Sequence, residues 1–91
     1  MSVMRDVKRW RVDIYIDEER ADRRTCAKAL LRADNGVRLS GFGTAWRNPS
    51  DSEVPYIGDE LAVSRALADL AEQLELAAAL RPRPRRQPAS I

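Results

Sequence analysis

Three residues, Asp34-Asn35-Gly36, decide which side chains in the first half of this chain face a core. They separate two stretches of alternating character, Thr25 to Ala33 and Val37 to Trp46, and so read as the loop of a β-hairpin. A two-residue loop at Asn35-Gly36 would pair Asp34 with Val37 and put Ala29 on the face of Phe42. A three-residue loop with Gly36 in the left-handed conformation pairs Ala33 with Val37 instead. Ala27, Ala29 and Leu31 then share a face with Leu39, Gly41, Gly43 and Ala45. One residue of register exchanges every side chain between core and solvent. The three-residue loop is preferred, because it gathers the small residues into a shallow trough over which a helix can lie closely.

A strand precedes the hairpin and a helix follows it. In "WRVDIYID", Trp10, Val12, Ile14 and Ile16 point one way and Arg11, Asp13, Tyr15 and Asp17 the other. "NPSDSEVP" is a loop by composition, with Pro49 and Pro55 as breakers. Beyond it Val63, Ala66, Leu67, Leu70 and Leu74 recur at helical spacing, with Asp69, Glu72 and Gln73 on the opposite side. Prolines at 82, 84 and 88 then block helix and sheet. The expected architecture is α+β: a three-stranded antiparallel meander packed on one long C-terminal helix. Residues 1–80 form the single domain, and 81–91 a flexible Pro/Arg-rich basic tail.

Size and composition narrow the function. The chain has 91 residues, so its stability margin is thin. Its one cysteine, Cys26, cannot form an intrachain disulfide, which fits a reducing compartment. No signal peptide is read at the N-terminus, and the longest C-terminal apolar run, Leu76 to Leu80, is too short to span a bilayer. A soluble cytoplasmic protein is expected. The net charge is only +2 but is unevenly spread. Asp59 to Glu75 holds five acids against Arg65, whereas Arg81 to Arg86 holds four arginines and no acid.

No pattern points to catalysis. The chain has no histidine, and no nucleophile–base pair, phosphate loop or metal-ligand spacing is present, so no catalytic, cofactor or metal residue is assigned. Asp59-Glu60, where the helix pattern opens, reads as a cap. Aspartate accepts from the free amides of a first turn and both acids suit the positive end of the helix dipole, together worth about 1–2 kcal/mol. Gly58 would permit a sharp approach to the helix, and Ile57 would anchor that approach to the core. The acids of "DEERAD" read as a solvated turn, not a calcium loop. Cys26, with Lys28 two residues away, reads as an inert strand thiol. Gly41-Phe42-Gly43 lacks the third glycine and the strand-to-helix setting of a nucleotide loop and is read as close backbone packing.

With the helix on the small-residue face, the other face of the sheet shows Tyr15, Leu30, Phe42 and Trp46 among Lys28, Arg32 and Arg38. Such apolar groupings mark interfaces. The expected role is a non-enzymatic interaction module that self-associates, as a dimer for preference, or binds another protein through this face. The alternative is weak, salt-sensitive nucleic-acid binding led by Arg81, Arg83, Arg85 and Arg86, with help from Lys8, Arg9 and Arg11.

"YIGDELAVSRALADLAEQL" following "GFGTAWRNP" carries a resemblance. The segment Ile57-Gly58-Asp59-Glu60-Leu61-Ala62, with Arg65-Ala66-Leu67, Asp69-Leu70-Ala71 and the upstream Gly41, Gly43, Ala45 and Pro49, resembles a family of small actinobacterial proteins, domain of unknown function 1876. Its fold is similar to the double-stranded-RNA-binding domain. The resemblance runs from about Trp10 to Leu74 and implies three antiparallel strands on a C-terminal helix. It supplies no activity and no catalytic residue. Double-stranded-RNA-binding domains place lysines at the start of that helix, where Asp59 and Glu60 stand here, so RNA binding in that mode is disfavoured.

Overall fold

The computed structural model describes residues 5–47 and 55–82. Within them lie three nine-residue strands, β1 (Arg11–Glu19), β2 (Arg24–Arg32) and β3 (Arg38–Trp46), and one helix, α1 (Pro55–Leu80, 26 residues). The sheet is an antiparallel meander in the order β1-β2-β3. This is the βββα arrangement expected from the alternation and the helical stripe. The tail arginines Arg83, Arg85 and Arg86 lie outside the described residues.

The second hairpin takes the three-residue loop. The Ala33 amide donates to the Val37 carbonyl (3.0 Å), the Gly36 amide to the Ala33 carbonyl (3.2 Å), and Gly36 has φ 87°. Asn35 Oδ1 accepts from the Val37 amide at 3.1 Å, and the Trp10 indole donates to Asp34 Oδ1 at 3.2 Å. The register follows: Leu31 faces Leu39, Ala29 faces Gly41, Ala27 faces Gly43 and Thr25 faces Ala45. In the first hairpin β1 runs on through Glu18 and Glu19, leaving a shorter turn in which Arg23 adopts φ 52°.

The small-residue trough is where the helix lies. The core consists of Ala27, Ala29, Leu31, Ala45, Ala62, Ala66 and Leu70, with Leu39, Val63 and Leu74 packed at its margin. Among the described residues no bulky side chain is fully buried, so stability depends on close backbone approach and the dispersion contacts it creates. A Cβ added to Gly43 would stand 2.2 Å from the Ala62 carbonyl oxygen, and one added to Gly41 2.3 Å from that of Ala66. These two glycines set the distance between the layers.

Four expectations about the helix are corrected. It begins at Pro55, so Asp59 lies beyond the first turn, which contains no acid. Proline suits the first helical position, where its missing amide hydrogen has no intrahelical partner in any case. Asp59 is therefore not the helix cap; Pro55 begins the helix that it was expected to exclude. Gly58 is inside the helix, where its lack of a side chain admits Thr25: a Cβ there would meet Thr25 Oγ1 at 3.1 Å. Ile57, expected to anchor to the core, is 55% exposed.

The helix also covers less of the sheet than the alternation implied. It packs on β3 and β2 and barely touches β1. A helix is about 10 Å across, whereas three strands about 4.8 Å apart span roughly 14 Å. Val12, Ile14 and Ile16 share the helix-side face with Leu31, Ala29 and Ala27, yet remain 42%, 38% and 47% exposed. The apolar alternation of β1 marks a face that the described residues leave partly exposed.

Candidate interaction surfaces

The register arranges the outer face of the sheet in rows that run across the strands. Arg11, Arg32 and Arg38 form the first row, Asp13, Leu30 and Ser40 the second, and Tyr15, Lys28 and Phe42 the third. Asp17, Cys26 and Thr44 follow, then Glu19, Arg24 and Trp46. All four sequence-assigned residues therefore lie on the face opposite the helix. Tyr15, Phe42 and Trp46 are 52%, 62% and 65% exposed, and Leu30 is half-buried.

They do not form one continuous patch. Tyr15 and Phe42 share a row with Lys28 between them, and Leu30 sits in the neighbouring row. Trp46 lies four residues from Phe42 along β3, about 14 Å away at ordinary strand rise, with the Thr44 row between them. Each β3 aromatic carries its own cation: the Lys28 ammonium is 5.9 Å from the Phe42 ring centroid, and the Arg24 guanidinium 5.3 Å from that of Trp46. Arg24 also donates to Glu19 across the first hairpin. That hydrogen bond, with the Glu19 charge, holds the Arg24 pKa above its ordinary value; arginine is a cation over Trp46 across the physiological range in any case.

Charge divides this face along its width. β1 contributes Asp13, Asp17 and Glu19, whereas β2 and β3 contribute Arg24, Lys28, Arg32 and Arg38. Arg11 stands on the acidic strand and pairs with Asp13 at 3.1 Å. Cys26 lies between Asp17 and Thr44 and is partly exposed. Arg81, the described member of the tail arginines, is exposed just past the helix. Among the described residues no group of three or more Cys, Asp or Glu could hold a metal ion, and no helix is long and apolar enough to cross a membrane.

The sheet has two edges, and the helix treats them differently. Along β3 the Phe42 amide donates to Asp69 Oδ2 at 2.8 Å, and the Thr44 carbonyl accepts from Arg65 Nη1 at 2.6 Å. Two helix side chains thus satisfy outward-facing backbone groups of that edge. Along β1 no described element pairs with the outer side. The helix residues Asp59, Glu60, Val63, Ser64 and Leu67 line only a shallow, open hollow. The sequence reading missed this second surface. Its signal was present in side-chain size, because Val12, Ile14 and Ile16 are too large for a trough otherwise made of alanine and glycine.

The comparisons agree with the architecture. The chain matches the Rv2632c-like family over residues 8–81. It is 48% identical over 68 residues to the uncharacterized protein Mb1767 of Mycobacterium bovis, covering 75% of this chain and 69% of that one. It is 48% identical over 67 residues to the uncharacterized protein Rv2632c of Mycobacterium tuberculosis, covering 74% and 69%. The crystal structure of Rv2632c superposes with a TM-score of 0.69 at 38% identity, covering 89% of this chain and 100% of that chain. With that fold, and a match through all three strands and the helix, the chain belongs to the Rv2632c-like family.

Proposed function

We propose that this chain is a non-enzymatic interaction module that self-associates through the outer face of its sheet. The observation that carries this reading is the exposure of Tyr15, Phe42 and Trp46 on a face with an acidic side and a basic side. Two copies packed face to face about an axis parallel to the strands set β1 of each over β3 of the other. Each row then faces itself, with Tyr15 over Phe42 of the mate and Asp13 over Ser40 next to Arg38, and the aromatic rings meet each other instead of water.

The face of a single copy measures roughly 14 by 30 Å, or about 400 Å². A standard interface buries about 800 Å² per partner, so face pairing by itself is transient. Sedimentation velocity over a range of concentrations tests it. Phe42→Glu, which buries a carboxylate in that contact, is expected to reduce the average assembly size while the far-ultraviolet circular dichroism is unchanged. A folded Phe42→Glu protein with the same assembly size as the wild type would sink the reading.

The row Arg11-Arg32-Arg38, two rows along the strands from the Tyr15 and Phe42 rings, supports a second reading, single-stranded nucleic acid on the same face. Phosphates would lie along the arginines and bases on the rings. Binding of labelled single-stranded RNA should fall steeply between low and physiological salt. It should weaken in Arg32→Glu, Arg38→Glu and survive removal of residues 81–91 if the face is the reader. Loss with the tail would assign binding to Arg81, Arg83, Arg85 and Arg86.

A further inference from the structure

We infer that the open edge of β1 pairs antiparallel with β1 of a second copy, joining two sheets into one of six strands. The backbone fixes which groups are free. Ala33 and Val37 at one end of the second hairpin, and Arg23 and Arg47 at the other, are hydrogen-bonded pairs. The odd-numbered residues of β2 therefore bond to β3, and Cys26, Lys28 and Leu30 bond to their β1 partners Asp17, Tyr15 and Asp13. The amides and carbonyls of Val12, Ile14 and Ile16 point away from β2. These are the same residues whose aliphatic side chains the helix leaves uncovered. A strand edge with free backbone and exposed aliphatic side chains is a template for another strand.

Charge selects a second copy of this chain as the occupant and, together with the apolar side chains, selects the register. A two-fold axis through Ile14 sets Val12 against Ile16, Ile14 against its own mate, Asp13 against Tyr15 and Arg11 against Asp17. Centring on Asp13 would oppose the two Asp13 carboxylates, and centring on Tyr15 would oppose Asp13 to Asp17 twice. The Ile14 register pairs opposite charges at both ends without juxtaposing acids. An axis through Val12 does so too, but it sets Ile14 against Trp10 and Ile16 against Lys8. Only the Ile14 register also opposes Val12, Ile14 and Ile16 to one another. β3 offers no equivalent edge, because Asp69 and Arg65 occupy it. The edge pairing does not depend on the outer-face contact, although it doubles the area of that face.

The test is sedimentation equilibrium of the full chain with hydrogen exchange on the same samples. The wild type should sediment at no less than twice the chain mass, with the amides of Val12, Ile14 and Ile16 gaining protection as concentration rises. Ile14→Pro removes an amide that faces away from β2 and is tolerated at an edge, so it should leave a folded protein that no longer edge-pairs. Asp17→Arg sets arginine against Arg11 at both ends and should raise the dissociation constant roughly tenfold. Adding Arg11→Asp should restore it, a rescue that also covers the case in which Ile14→Pro fails to fold. Phe42→Glu should retain the edge dimer. A wild type that stays monomeric at millimolar concentration overturns the inference. So does a dimer dispersed by Phe42→Glu but unchanged by the charge swap, an outcome that would sustain the outer-face reading alone.

Discussion

β1 and β3 bound the same sheet, have the same length and hydrogen-bond to the same central strand, yet one is closed by the helix and the other left open. β3 is lined by Gly41, Gly43 and Ala45, which let the helix descend until its backbone nearly touches the sheet. At that distance Arg65 and Asp69 reach over the strand to its backbone. β1 carries Val12, Ile14 and Ile16 on the same face, and a helix cannot lie that low over them. Side-chain volume on one face thus decides backbone satisfaction at each edge. Among the described residues, packing leaves one edge apolar and open while it covers part of the other.

The comparison can be broken most severely from the closed side. Gly43→Val would drive a side chain into the Ala62 carbonyl, 2.2 Å from the new Cβ, with the Ala66 amide nitrogen 2.4 Å away. Backbone on both sides cannot yield, so a loss of more than about 3 kcal/mol is expected. It would be read as loss of the cooperative transition in urea followed by circular dichroism. From the open side, Ile14→Pro should abolish edge pairing yet keep a cooperative urea transition, its midpoint lowered mainly by the stabilisation that assembly contributes, which is the reverse outcome. The smallest effect should come from Asp69→Ala, which removes the acceptor of the Phe42 amide. It should cost about 1 kcal/mol in urea titration, since water reaches that edge. It should also make β3 resemble β1, which larger species in sedimentation would reveal; no change in either quantity would show that Asp69 does not guard the edge.

Much of the fold was legible in the residues. Thr25 to Ala33 is rich in alanine and leucine, both good helix formers, yet nearly all of it lies in the central strand. Its alternation outweighed its propensity, because strand preference is largely a matter of fit to a half-buried pleated surface. Asp34-Asn35-Gly36 fixed the register because glycine alone adopts φ 87° there without strain. The helical stripe was nearly right: Ala66 and Leu70 are buried, but Ala62 is buried and unforeseen, and Leu67 is 43% exposed. The stripe is rotated toward its alanines because the helix packs by closeness of approach, which favours the smallest side chains. Pro55 was misread for a related reason, since the same ring that blocks a helix interior suits its first turn.

By itself, then, the sequence determined the strands, the hairpin register, the helix and the trough, because each follows from local periodicity or the stereochemistry of a single turn. Given that register, it also placed Tyr15, Leu30, Phe42 and Trp46 on one face, since alternation then leaves no other choice. Only the tertiary structure decided how far across the sheet the helix reaches, which edge Arg65 and Asp69 close, and that Val12, Ile14 and Ile16 remain uncovered. Those outcomes depend on the width of one helix against three strands and on the distance of closest approach, quantities that exist only once the layers meet.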